Sequence, residues 1–184
     1  MDKNEELPEL VLPMEARDNC LGSASARYSL VEYGDYLSPH CRNVVGVVNE
    51  LVRELEGDLC FVYRNFTQPK PHPLARRAAE AAEAAGLQGK FWLMHDRLFA
   101  HQDELSDKLI REIARDLPID LADFERDLTS GAAGRRVDDD LESGQEVGVG
   151  DVPTFFVNGR LQLGQYEFLP LLKALQEPHS KPPA

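Results

Sequence analysis

Tyr28-Ser-Leu-Val-Glu-Tyr33, four apolar or aromatic residues among six, reads as a strand. Val44, Val45, Val48, Leu51, Val52 and Leu55 then recur at i, i+1, i+4, i+7, i+8 and i+11, the stripe of an amphipathic helix. The spacing predicts a helix over about 39–55, ended by Gly57-Asp58. Leu59 to Asn65 reads as a second strand. If the two strands share a sheet, strand, helix and strand make a right-handed parallel crossover. Residues 1 to 26 show no sustained period and read as an irregular arm, with a short strand around Leu10-Val-Leu12.

After the proline-rich connector Gln68 to Pro73 the period becomes helical. Leu74, Ala78, Ala82 and Ala85 share one face, and Gly86 stops it. Phe91, Met94 and Leu98 mark a second helix. Ser106 caps a third, carrying Leu109 and Ile113, and Asp120 caps a fourth, carrying Leu121, Phe124 and Leu128. A fifth covers 134–146. Gly148 to Arg160 breaks this block of about seventy residues. Thr154 to Val157 and Leu161 to Leu163 read as strands around an Asn158-Gly159 turn. Phe168, Leu171, Leu172 and Leu175 mark a closing helix, with Pro170 tolerated in its first turn. The order βαβ, helical insert, ββα predicts an α/β sheet with helices on its faces.

Composition narrows the function classes. The chain has 184 residues, 42% of them hydrophobic, which suits one globular domain with an insertion. No apolar run approaches the roughly 18 residues of a membrane helix. MDKNEELPEL is acidic and has no signal-peptide core, so the expected address is cytoplasmic, or exported if a leader has been removed. A net charge of −12 disfavours nucleic acid and anionic membranes as partners. The three cysteines, Cys20, Cys41 and Cys60, are too few for a disulfide scaffold. With His72, His95 and His101 they form no zinc spacing. Cys60 lies in a buried strand and reads as a structural thiol, and Cys20 as incidental. Asp138-Asp-Asp140 reads as a solvated helix face, not a metal site. His95 and His101 suit a polar helix face better than ligation. Trp92 beside Phe91 reads as insert core.

Two places carry candidate chemistry, the helix start Ser38-Pro39-His40-Cys41 and the dipeptide Val152-Pro153. Ser38 is placed as N-cap, Pro39 at N1 and Cys41 at N3. Free N–H groups and the helix dipole favour an anion there, and a thiolate at such a position has its pKa lowered. Glu32 lies one strand end before the motif. Two readings fit it: a buried carboxylate shuttling protons for Cys41, or an exposed edge glutamate.

In order and spacing, the chain resembles the DsbA-like branch of the thioredoxin superfamily. The matches are Leu30-Val-Glu-Tyr-Gly-Asp-Tyr36, Arg64-Asn-Phe66, His72-Pro73 with the alanine-rich helix, Gly89 to Phe99, and Gly148 to Gly159. The resemblance implies a thioredoxin fold over 1–66 and 148–177, an inserted all-helical domain over 73–146 between the second and third core strands, and a flexible tail over 178–184. It also implies a cis bond before Pro153, packed against the helix start, with Val152 and Pro153 binding an extended substrate. Carried over, position 38 is the attacking group, Cys41 the resolving thiol and His40 an imidazole that stabilises a thiolate. The implied partners are protein or peptide thiols and disulfides and a redox partner. No cofactor is expected.

The family motif is Cys-Pro-x-Cys, and here its first cysteine is Ser38. Three accounts stand. The serine is an introduced replacement that blocks oxidation; or dithiol exchange has been lost naturally; or Ser38 is itself the working group. The last resembles kappa-class glutathione transferases and chromene-carboxylate isomerases, whose Ser-Pro hydroxyl donates to a glutathione thiolate. Gly164-Gln165 is also similar to them, but a retained Cys41 is not. Glutathione is the alternative cofactor on that account. A non-catalytic thioredoxin-fold peptide-binding protein is the remaining alternative.

Overall fold

The computed structural model describes residues 14, 18–67, 74–164 and 166–177. The expected strand around Leu10-Val-Leu12, the connector with His72-Pro73, Gln165 and the tail lie outside them. Strands β1 (Cys20–Gly22), β2 (Tyr28–Gly34), β3 (Leu59–Asn65), β4 (Thr154–Val157) and β5 (Arg160–Gln162) form one sheet in the order β1-β3-β2-β4-β5. Helix α1 (Pro39–Glu54) joins β2 to β3, which run parallel in register from Tyr28↔Leu59 to Gly34↔Asn65. Helices α2 (Ala75–Gly86), α3 (Phe91–Ala100), α4 (Asp107–Asp116), α5 (Leu121–Thr129) and α6 (Ala132–Glu146) all lie between β3 and β4, and α7 (Phe168–Gln176) closes the chain. This is the thioredoxin fold with an inserted helical unit.

The predicted end signals act as caps. Ser38, Ser106 and Asp120 accept from the N–H groups of Cys41, Leu109 and Asp123. Asn158 and Gly159 take φ of 50° and 84°, the positive values a two-residue hairpin turn requires. Asn158 also accepts from the Ser29 N–H and donates to the Leu175 carbonyl, so one turn residue ties β2 to α7.

β2 is the middle strand and is buried on both faces from Leu30 onward. Leu30 packs with α1, α3 and α7 side chains such as Val48, Met94 and Leu171. Val31 and Tyr33 face the other side, with Val62, Phe66, Val147 and Phe156. A polar junction fixes the insert to the end of β3. The Asn65 N–H and side chain donate to Asp140 at 2.8 and 3.1 Å, and the Asn65 amide also reaches Glu83 at 2.8 Å. Arg136 donates to Glu83 at 2.9 Å. Tyr33 and Ser143 share a buried hydroxyl contact of 2.9 Å.

Several expectations change. The arm before residue 26 contains a strand, β1, antiparallel to β3. It has three residues, too few for an alternating pattern to declare itself. Cys20 and Cys60 are neither incidental nor a free thiol: they form a disulfide across β1 and β3, with Cα atoms 5.7 Å apart. Forty residues separate them, so the sequence could not signal their proximity. Asp140 turns inward from the acidic run, and only Asp138 and Asp139 are exposed. Helix α6 begins at Ala132 and strand β5 at Arg160, each shifted slightly from the expected start.

Two helix glycines predict opposite outcomes. A Cβ on Gly144 would lie 2.6 Å from the Phe66 ring and 3.1 Å from Tyr33, whereas one on Gly46 meets nothing within 4 Å. Gly144→Ala is expected to destabilise by about 1–3 kcal/mol through overpacking. Gly46→Ala is expected to stabilise by up to about 1 kcal/mol through helix propensity. Denaturant titration of both variants checks the signs.

Candidate active site

The crossover places the α1 N-terminus at the sheet end where β2 and β3 finish. Between β2 and α1 the chain turns sharply through Asp35 to Ser38. The Asp35 carboxylate accepts from the Leu37 N–H at 2.7 Å, and its carbonyl accepts from the Ser38 N–H at 3.0 Å. Ser38 Oγ lies 3.4 Å from the Cys41 N–H it caps. The Cys41 thiol in turn accepts from the Asp35 N–H at 3.4 Å. Cys41 therefore points back beneath the turn and is fully buried, with Ser38 above it at 4% exposure. Pro39 and His40 stand exposed on the first turn.

Burial pushes the Cys41 thiol well above its ordinary range, and the nearby Glu32 carboxylate pushes it further. The Asp35 N–H and the Ser38 hydroxyl oppose this without reversing it. At neutral pH Cys41 is a neutral thiol. Glu32 is no edge residue: it sits on the central strand at 3% exposure. Burial holds its carboxyl well above the usual range, and its Oε1 has no hydrogen-bond partner among the described residues. It lines a cavity of about 80 Å³ with Leu21, Val45, Val48, Asn49, Phe61, Trp92, His95 and Asp96. A buried carboxyl with an unpartnered oxygen is favoured in its neutral form.

Val152-Pro153 meets this end of the sheet. β4 pairs antiparallel with β2 from Tyr33↔Thr154 onward, so Val152 and Pro153, which precede β4, lie at the sheet end where β2 finishes. The bond between them is cis. Val152 packs against the apolar cluster that contains Cys41, and its N–H donates to the exposed Asp151 carboxylate at 2.8 Å. The six residues singled out at this site thus converge on one sheet end, from the α1 start and the loop before β4.

Three contributors were missed. His95 does not lie on a polar face: it is buried among Tyr36, Tyr63, Trp92 and Phe99, with ring centroids 4.7–5.5 Å away. Burial lowers it to about 3, so it stays neutral, and its Nδ1 meets the Tyr36 hydroxyl at 3.1 Å. Phe91, Met94, His95, Leu98 and Phe99 follow i, i+3, i+4, i+7 and i+8, a spacing that already puts His95 on the apolar stripe. Asp35 and Gln102 carried no comparable signal. Gln102 lies in the 3-10 turn Gln102–Glu104 after α3, and its amide donates to the carbonyls of Tyr36 and Ser38. Trp92, expected as insert core, is half-buried on the cavity wall with its indole N–H unpartnered among the described residues.

A family model described as Thioredoxin matches residues 15–176. Among solved structures, the fold is similar to oxidised BdbD from Bacillus subtilis, with a TM-score of 0.80 and 20% identity, covering 94% of this chain and 97% of that one. It is also similar to a thioredoxin-like oxidoreductase from Silicibacter pomeroyi, with a TM-score of 0.75 and 26% identity, covering 88% and 91%. Among curated proteins, the Na(+)/H(+) antiporter NhaA 1 of Mycolicibacterium gilvum is 37% identical over 171 residues, 91% of this chain. The chain spans only 28% of that protein's length, so the likeness belongs to one segment of it. No helix among the described residues is long and apolar enough to cross a membrane.

Two outcomes follow from the burial. Cys41 is the free cysteine of the three, and in the native protein it is expected to react with iodoacetamide at least about tenfold more slowly than after unfolding, because the reaction requires local opening. Alkylation followed by mass spectrometry measures both rates. Glu32, raised by burial above its ordinary 4.5, takes up a proton on folding, so stability is lost as pH climbs from 4.5 toward its folded value. The stability difference between Glu32→Gln and the parent should therefore shift in favour of the variant between pH 4 and pH 7. A difference that is the same at both pH values contradicts a buried, proton-binding Glu32.

Proposed function

The chain belongs to the thioredoxin family, and from its DsbA-like fold we propose that the α1 start is a thiol–disulfide exchange site for protein disulfides, with serine at the attacking position. The observation that carries this reading is the stacking of position 38 over a buried Cys41 at a capped helix N-terminus, electrostatically coupled to Glu32. That arrangement suits an attacking sulfur at 38, on the outer side of the turn, and a more deeply protected resolving sulfur at 41.

With cysteine at 38, the thiolate attacks one sulfur of a substrate disulfide. The S–S bond breaks and its electron pair leaves on the other substrate sulfur as a thiolate. The Glu32 carboxyl protonates that departing thiolate and then takes the proton of Cys41, whose sulfur attacks the sulfur at 38. The mixed disulfide breaks, the second substrate thiolate departs, and the substrate is reduced by two electrons as the 38–41 pair is oxidised. The reverse sequence oxidises a substrate dithiol. His40, exposed on the first turn, stands where its imidazole favours the thiolate. An extended substrate strand pairs with the backbone at Val152, displacing the Asp151 carboxylate from the Val152 N–H.

Ser38 interrupts this cycle at its first step, because a hydroxyl is a far weaker acid than a thiol and forms no disulfide. Cys41 does not substitute for it, being buried and neutral. The protein with Ser38 thus binds substrate without exchanging it. The Cys20–Cys60 disulfide supports an oxidising compartment over the reducing cytoplasm expected from the first residues.

Ser38→Cys is expected to catalyse insulin reduction by dithiothreitol, while the Ser38 protein and a Ser38→Cys, Cys41→Ser double variant stay near the uncatalysed rate. A turbidity assay reads all three. A Ser38→Cys protein that is folded, has both thiols reduced and still shows no acceleration removes the exchange reading.

A further inference from the structure

The active-site turn is gripped from outside the thioredoxin core. Gln102 is 8% exposed, and its Nε2 donates to the Tyr36 carbonyl at 2.8 Å and the Ser38 carbonyl at 2.9 Å. Both acceptors are carbonyls, which fixes the amide nitrogen on that side. The Ser38 carbonyl also accepts the Arg42 N–H that opens α1, so Gln102 supplies its second donor. Two neighbouring contacts come from the same stretch of the insert: Asp103 pairs with Arg42, and His95 meets the Tyr36 hydroxyl. The α3 end and its 3-10 turn thus hold the residues on both sides of Leu37.

We propose that Gln102 is a positioning residue for the group at 38, clamping the turn so that this group stays over the α1 N-terminus. The inference rests on the exchange reading above. The clamp acts in two ways, both of the same sign. It keeps the side chain at 38 within reach of the free N–H groups of the first turn, where an anion is stabilised. It also brings the positive end of an amide dipole to a buried site, where little water screens it. A thiolate at 38 gains from both, and the reduced state of the 38–41 pair gains with it. Through Gln102 the helical insert, which contributes no reacting atom, would set the reactivity of the site.

The test uses the full chain in the Ser38→Cys form, with Gln102→Met to delete the donors at similar size and Gln102→Glu to replace them with a titrating group. The thiolate at 38 is followed by its absorbance near 240 nm and by alkylation rate against pH. Gln102→Met should raise the pKa at 38 by about one unit, which lowers the thiolate fraction below that pKa roughly tenfold. Gln102→Glu should do the same or more once its carboxylate faces the two carbonyls, with the defect easing as pH falls and the carboxyl regains a proton. An unchanged pKa at 38 in both variants overturns the proposal, as does a loss of melting temperature with no pKa change, which marks a structural role alone. Insulin reduction by the Ser38→Cys parent separates the two claims. A parent that fails to reduce insulin sinks the exchange reading, whereas the pKa at 38 still decides the clamp.

Discussion

The hydrogen bonds that hold the turn from Asp35 to Ser38 are the constraint on which the site depends. The Asp35 N–H reaches forward to the Cys41 thiol, the Asp35 carboxylate takes the Leu37 N–H, and its carbonyl takes the Ser38 N–H. Each bond is local, and together they fold a strand end back over the first turn of a helix. The parallel β2–α1–β3 crossover then carries that turn to the end of the sheet, and the β4 register brings Val152-Pro153 to meet it. Were the turn loose, the side chain at 38 would have no fixed relation to the helix N-terminus, and Cys41 would have no cover.

Burial then decides the chemistry of each group. Cys41 and Glu32 lie on the same side of the sheet, and both are pushed toward their neutral forms. That suits a thiol held in reserve and a carboxyl that exchanges a proton with it. His95, which on chemistry alone looks like a ligand or a base, is driven neutral by the same surroundings and is held by aromatic packing and a hydrogen bond with Tyr36. The polar junction of Asn65, Asp140, Glu83 and Arg136 does for the insert what apolar packing does for the core, fixing α2 and α6 to the end of β3. Buried polar groups of this kind hold an arrangement in place because each partner would be costly to leave unpaired.

The local features were legible in the sequence because their causes are local. Ser38, Ser106 and Asp120 announce helix starts through their own side chains, and Asn158-Gly159 announces a hairpin through backbone conformations that few residues adopt. The fold followed from the order of those elements together with the family resemblance. What stayed hidden depends on distance in space. The Cys20–Cys60 bridge joins residues forty apart through a strand too short to show a period. Gln102 looks like any polar residue after a helix until its two carbonyl partners, more than sixty positions away, are in view. His95 is the instructive miss. Its place on the apolar stripe was readable from the spacing, but its chemistry drew attention away from its position.

The central claim is that positions 38 and 41 form one redox pair governed by this turn. The direct measurement is the equilibrium of the Ser38→Cys protein across glutathione buffers of graded ratio, followed by peptide mass spectrometry. The account predicts a single two-electron transition that links the sulfur introduced at position 38 to Cys41, with Cys20–Cys60 oxidised throughout it. If position 38 instead accumulates as a stable mixed disulfide with glutathione while Cys41 remains a free thiol, the account is contradicted.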